Sequence, residues 1–270
     1  MGTGTAGERD ARWAELTYEA IAPVYDAYTS FNDYEGWIAD LLPILERRGL
    51  RGRRLLDVAC GTGKSFLPML PRGWEVAGCD ISASMLEEAG AKVGEEVRLS
   101  VADMRELPVF GEFDLVWSLD DAVNYMLDEE ELTRALRGMR ANLAPTGLLL
   151  FDVNALHAYR SIWAMTEAFA ELEDGRRVVW HGEADADAEP GSICEARMTI
   201  EGPGTAAGEG DVEELATHRQ RHFPEQEVLA ALERAGLECL DVYGQSTDGI
   251  PRKPLDEAAH TKAIFIARAG

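Results

Sequence analysis

The sequence predicts an α/β protein: a mostly parallel seven-stranded sheet interrupted by an inserted antiparallel β lobe. Three observations predict it. Short apolar runs ending in a polar residue alternate with helical periodicity from Arg54 to Val153. The first run, Leu55-Leu56-Asp57-Val58, passes directly into Ala59-Cys60-Gly61-Thr62-Gly63, where two glycines permit a sharp turn and close approach of a ligand. After Asn154 the pattern changes to three extended segments with no helix between them, which pair antiparallel.

Taken in order, Met1–Arg12 is rich in Gly, Thr and charge, without an apolar core, and reads as a frayed tail and not a secretory signal. Tyr18–Tyr28 reads as helical, with Pro23 opening a new helix. Gly36–Arg47 carries Trp37, Leu42 and Leu45 at helical spacing. Strands follow at Arg54–Val58, Glu75–Asp80, Val97–Val101, Phe113–Leu119 and Leu148–Val153. A helix is expected from Lys64. Another spans Ser82–Ala91, where Ser84 and Glu87 match a capping box, and a third spans Glu129–Leu143. Helical connections between strands give a parallel sheet. Val178–Asp185, Ile193–Ile200 and Glu213–Phe223 form the lobe. Pro224–Ala235 returns to a helix, and Leu237–Val242 and Ala263–Ala267 close the sheet around a charged surface loop, Ser246–Thr261.

At 270 residues with 46% hydrophobic content, the chain is long enough for one large α/β unit with an added lobe. It has no apolar run of membrane-spanning length. The net charge of −23 argues against nucleic acid and anionic membranes as partners. It suits a cationic small molecule, and equally a surface that is merely kept soluble. Cys60, Cys79, Cys194 and Cys239 show no metal-ligand spacing and read as buried thiols, which places the protein in the cytoplasm. Either a monomer or a homodimer is compatible with this.

Three ligands compete for the glycine turn. Gly63-Lys64-Ser65 is the tail of a phosphate loop, but Val58 stands where that motif needs its first glycine. Gly61 and Gly63 begin a dinucleotide fingerprint, but Phe66 occupies the third glycine position. S-adenosylmethionine has no phosphate and asks for an acid at the second strand end and a polar group at the third. Asp80 and Asp103 stand there, with Asp57 in the first strand. For any one of these acids a helix cap is the plain structural alternative.

With these residues in view, the chain resembles the Rossmann-like class I S-adenosylmethionine-dependent methyltransferases. Leu56-Asp57-Val58-Ala59-Cys60-Gly61-Thr62-Gly63 resembles their first motif, with Ala59 where many members have glycine. Gly78-Cys79-Asp80-Ile81-Ser82-Ala83-Ser84-Met85-Leu86 is similar to the ribose motif, and Ala102-Asp103-Met104 to the adenine motif. Ala144-Pro145-Thr146-Gly147 resembles the turn before the fifth strand, and Tyr18–Asp26 the helix that caps the cofactor. The likeness runs from about Tyr18 to the C-terminus, and its later part resembles amino-sugar N-methyltransferases and related small-molecule enzymes. It implies a tail over residues 1–12, cap helices over 13–50, a core over 51–156 and 224–270, and an acceptor-side lobe over 157–223.

The resemblance also implies roles. Gly61 and Ala59 would face the methionine end, with Asp57 and Gly63 among the cofactor-binding residues. Asp80 would take the ribose hydroxyls, with Ile81 and Met85 near the adenine. Asp103 would bind the adenine amine and Met104 its edge, Leu119 would sit by the sulfonium, and Tyr25 would close over the donor. Methyl transfer by in-line displacement then yields S-adenosylhomocysteine. Candidates for the chemistry are Tyr25, Asp120, His218 and His222; candidates for acceptor binding are Tyr28, Tyr34, Asp121, Asn124, Tyr125 and Asn154. Asp120-Asp121 suits a cationic amine, although Asp121 equally suits a short helix cap. On a strand His218, Gln220 and His222 share one face, which reads as catalytic or as solvated; they lack the further ligands of a metal site. The aromatics Tyr28, Tyr34 and Trp37 read as core or as an acceptor lid. A small-molecule N- or O-acceptor is the leading reading. A tRNA or protein acceptor and a non-catalytic nucleotide-binding module are the alternatives.

Overall fold

The structure, a computed structural model, describes residues 6–165, 167–202 and 212–270. The apolar runs form β1 (Arg54–Val58), β2 (Glu75–Asp80), β3 (Arg98–Val101), β4 (Phe113–Ser118) and β5 (Leu143–Asn154). They lie in one sheet with β10 (Leu237–Gln245) and β11 (Lys262–Ala269), in the order β10-β11-β5-β4-β1-β2-β3. Every pairing among the first five strands is parallel; β11 runs antiparallel to both β5 and β10. The order reverses between β1 and β4, which opens a crevice at their carboxyl ends.

Alternation along each strand builds two cores. Leu56, Val58, Val116, Leu149, Phe151 and Phe265 face one side. There they meet Leu132 and Leu136 of α4 (Glu129–Ala141) and Val228 and Leu232 of α6 (Glu225–Arg234). Leu55, Leu115, Trp117, Leu148, Leu150 and Ile264 face the other side, covered by α2 (Tyr34–Arg47) and α3 (Ala83–Val93). Burial on both faces is why these strands read as continuous apolar runs.

The lobe is a second, four-stranded antiparallel sheet of β6 (Ala168–Glu171), β7 (Arg177–Gly182), β8 (Ile193–Glu201) and β9 (Val212–Arg221). It enters between α5 (Leu156–Ser161) and α6. A third core joins it to α1 (Ala6–Tyr28): Ile21, Ala22 and Val24 pack with Val178, Trp180, Ala196, Met198 and Tyr159. Among the described residues no helix is long and apolar enough to cross a membrane.

Several local expectations are corrected. The frayed tail expected over 1–12 is helical from Ala6, and residues 1–5 lie outside the described residues. Pro23 does not start a new helix: α1 is continuous through it, because flanking Ile21, Ala22 and Val24 are locked into the third core. No long helix follows the glycine turn. Pro68 and Pro71 limit it to a single 3-10 turn at Leu67–Met69. The cap of α3 is Ser82, which accepts from the Met85 N–H; Ser84 instead donates to Glu19. The sequence reading missed two short elements, α5 and β6, and the second is half-exposed, with Phe169 outward.

Candidate functional site

Four connections at the carboxyl ends of β1, β2, β3 and β4 frame a cavity open to solvent. The turn after β1 forms one wall through Ala59, Gly61, Thr62 and Lys64. Its backbone is left-handed at Ala59 (φ 61°), Gly61 (φ 52°) and Gly63 (φ 86°). Ala59 is thus a non-glycine residue held in a region that costs on the order of 1–3 kcal/mol. A Cβ on Gly61 would meet nothing within 4 Å, so open space lies over that residue. A Cβ on Gly63 would lie 2.6 Å from the Phe66 ring, so Gly63 serves packing beneath the turn.

The carboxylates at the strand ends organise the turn. Asp80 accepts from the Gly61 N–H at 2.8 Å and the Ser82 N–H at 2.9 Å. Burial pushes its carboxyl up to about 6 against those hydrogen bonds. Asp57, fully buried, accepts from Ser65 Oγ at 2.5 Å and is pushed up to about 7 by burial. Asp103 accepts from the Arg105 N–H at 2.9 Å and pairs with the Arg105 guanidinium at 3.1 Å. Ile81, Ala102, Met104 and Arg105 complete that end of the cavity.

Helix α1 forms the roof, with Ala14, Tyr18 and Tyr25 on the cavity. Polar ties hold it down. Glu19 accepts from Ser82 Oγ at 2.9 Å and the Ser84 N–H at 3.2 Å, Thr62 Oγ1 donates to Asp26 at 2.6 Å, and Lys64 Nζ donates to the Thr29 carbonyl at 2.7 Å. Burial and the charges of Asp120 and Asp121 push the Tyr25 hydroxyl well above its ordinary range, so it stays a neutral donor.

Past β4, Leu119, Asp120, Ala122, Tyr125 and Met126 line the cavity, with Tyr34 from α2. Asp120 Oδ2 accepts from Tyr34 Oη at 2.8 Å and Asn32 Nδ2 at 3.0 Å. Asp120 and Asp121 are consecutive left-handed residues (φ 65° and 57°), and their N–H groups donate to Asp152 at 2.6 and 3.0 Å. Lys262 Nζ reaches all three carboxylates, at 3.0, 3.1 and 2.9 Å. Burial raises the Asp120 carboxyl, but Lys262, Tyr34 and Lys64 more than offset it and hold it below the ordinary range. Burial and the neighbouring Asp120 and Asp152 charges push Asp121 up to about 6.

Of the residues singled out from sequence, Tyr25, Tyr34, Ala59, Gly61, Asp80, Ile81, Asp103, Met104, Leu119, Asp120 and Tyr125 line this one cavity. Asp57 and Gly63 lie behind the turn, and Met85 is buried in the third core with α1. Tyr28 is outside the lining, stacked on Trp180 with ring centres 6.5 Å apart. Asp121 is not the side-chain cap of Ala122–Tyr125; it accepts from Gln220 at 2.6 Å instead. Asn124 and Asn154 are bonded to each other and to β9: Asn124 Oδ1 accepts from the Asn154 N–H at 2.8 Å, and Asn154 Nδ2 donates to Gln220 at 3.0 Å. Sequence reasoning gave no role to Lys64, Arg105 or Lys262; it placed Gln220 on the face of His218 and His222, and Tyr18 on the capping helix, without making either a site residue. Of the three, Lys64 had a sequence signal, its place beside Gly63.

His218 of β9 and His222, just past its end, are both buried, not solvated. His218 Nδ1 lies 2.5 Å from Tyr125 Oη, one residue behind the cavity wall. His222 accepts from the Gly191 N–H at 3.1 Å and pairs with Glu257 at 2.7 Å, tying the lobe to the loop before β11. Burial lowers His218 from 6.5 to about 4, so it is neutral in the native state. The unfolded chain therefore binds a proton that the native chain refuses. Stability is full above about 6.5 and is lost as pH falls from there toward 4, by up to about 3 kcal/mol. Melts from pH 7.5 to 4.5 will show a smaller fall for His218→Gln than for the parent chain.

The comparisons agree with this geometry. A family model described as a methyltransferase domain matches residues 55–147. "Putative methyltransferase YqeM" of Bacillus subtilis (strain 168) is 30% identical over 239 residues, covering 87% of this chain and 92% of that protein. The dTDP-4-amino-2,3,4,6-tetradeoxy-D-glucose N,N-dimethyltransferase of Saccharopolyspora spinosa is 28% identical, covering 80% and 84%. An S-adenosylmethionine-dependent methyltransferase from Clostridium acetobutylicum shares the fold with a TM-score of 0.75 at 20% identity, over 94% of this chain and 99% of that one. The cavity fits the donor: Asp80 and Asp103 at strand ends on its lining, and an open glycine turn without the glycines of a phosphate loop. The chain belongs to the class I S-adenosylmethionine-dependent methyltransferases and is an enzyme that uses S-adenosylmethionine.

Proposed function

We propose that the protein methylates the nitrogen of a small-molecule amine. The observation that carries this reading is Asp120, a carboxylate held ionised on the cavity wall between Leu119 and the roof formed by Tyr18 and Tyr25. The donor supplies an activated methyl as a sulfonium. During in-line transfer the nitrogen lone pair forms the new N–C bond while the C–S bond breaks toward sulfur, so positive charge passes from sulfur to nitrogen. A fixed carboxylate at that end favours the charge where it arrives. To Asp121, pushed up to about 6 directly behind Asp120, we assign uptake of the proton that an ammonium acceptor must lose first.

The remaining residues position the donor. Ala59 and Gly61 admit its amino-acid end, Asp80 accepts from the ribose hydroxyls, and Ile81 packs by the adenine. Asp103 and Met104 hold the adenine amine and edge, Leu119 faces the sulfonium, and Tyr25 closes the roof and excludes water. Tyr34 orients Asp120. The relative from Saccharopolyspora spinosa, named for an amino-sugar substrate, supports an amine acceptor. Methyl-labelled donor offered in parallel to small amines, their hydroxyl analogues, bulk tRNA and a protein extract will label the amines. Label confined to tRNA or protein would overturn the reading.

A further inference from the structure

We propose that Lys262 is a positioning residue for methyl transfer: it holds the strained Asp120–Asp121 turn on Asp152 and sets how much negative charge faces the reacting centre. This rests on the reading that places Asp120 beside the sulfonium. The argument is geometric. Lys262 opens β11 and lies within 3.1 Å of carboxylate oxygens from three residues on two elements, the turn after β4 and strand β5. Asp152 is fully buried and accepts both backbone N–H groups of the turn, so it is the anchor of two successive left-handed residues. Without a cation, three carboxylates would crowd one site and the anchor would take a proton or move. One lysine leaves the cluster with a surplus of negative charge on its cavity side.

The groups facing the cluster come from every neighbouring element. Trp37 of α2 lies under Lys262, with its ring centre 5.7 Å from Nζ. Tyr34 and Asn32 donate to Asp120, Gln220 of β9 donates to Asp121, and the Lys64 charge acts on Asp120 from the glycine turn. Tyr25 of α1 feels both aspartates. None of these except Lys64 is a cation, so Lys262 dominates the balance.

The test uses two probes that differ only in charge at sulfur. S-adenosylmethionine carries the sulfonium; S-adenosylhomocysteine carries a neutral thioether. Calorimetry of both from pH 5 to 8.5 gives the ratio of their affinities. In the parent protein the ratio falls near pH 6 as Asp121 protonates, while Asp120 stays ionised. In Lys262→Met the midpoint of that fall moves up by about 1–3 pH units, because a cation within hydrogen-bond reach is lost. Lys262→Arg restores the parent midpoint. Asp152→Asn, which leaves one fewer carboxylate to the same lysine, moves it down and serves where Lys262→Met does not fold. A midpoint left in place by Lys262→Met, or by Asp152→Asn where that serves, overturns the role of Lys262, even if both affinities drop together as a loosened fold would make them. A ratio that is flat with pH in the parent protein, or one that Asp120→Asn leaves unchanged, removes the Asp120–Asp121 pair from the sulfonium, and the proposal falls with that reading.

Discussion

Asp80→Ala weakens S-adenosylhomocysteine binding by about 10- to 150-fold, the loss of about 1.5–3 kcal/mol for a hydrogen bond to a charged group. Asp80 ends β2, lines the cavity, and already holds the Gly61 and Ser82 N–H groups. Alanine removes the acceptor for the ribose and leaves those two donors without their partner. Asp80→Asn keeps the volume but only one acceptor oxygen, so its loss is smaller. The sign with pH follows from burial, which pushes the carboxyl up to about 6. Affinity is steady above pH 7 and falls as pH drops through that value. Calorimetry across this range checks both points, and an affinity that Asp80→Ala leaves unchanged removes the ribose role.

Asp120→Asn lowers kcat on an amine acceptor by about 10²–10³, the usual cost of removing one fixed group from a site of developing charge. The change is isosteric, and Tyr34 and Asn32 still find an oxygen, so the fold and the affinity for S-adenosylhomocysteine stay close to those of the parent. Single-turnover rates separate the chemical step from binding. A rise in the acceptor KM alone, with kcat intact, would make Asp120 an acceptor-binding residue only. Asp121→Asn is distinguishable from it: the loss there is greatest below the ammonium's own pKa, where a proton must be removed before transfer.

Much of the cavity wall at the ends of β1, β2 and β3 was legible in the sequence because it is local. A parallel strand buried on both faces must be an apolar run, and its polar terminus must sit at the ligand end of the sheet. Leu55–Val58 with Gly61, Glu75–Asp80 and Ala102-Asp103 carry those signals within a few residues each. The arrangement past β4 depends on long-range pairing that leaves no such trace. Lys262 reaches Asp120 only because β11 inserts beside β5, with Lys262 opposite Asn154. Gln220 reaches Asp121 only because β9 docks the lobe onto the turn after β4. The alternation of His218, Gln220 and His222 was readable as one face, yet alternation is the same whether that face meets water or core. The helix expected after Gly63 failed for a local reason that the sequence does contain, prolines at positions 68 and 71.

The measurement that tests the central claim most directly uses an amino alcohol, which offers both nucleophiles in one molecule, and donor labelled with ¹³C in the methyl group. After turnover, the carbon spectrum reports which atom received the methyl. The geometry of Asp120 and Asp121 predicts an N-methyl resonance, formed in step with S-adenosylhomocysteine. An O-methyl resonance, with the nitrogen left unmodified, would contradict it.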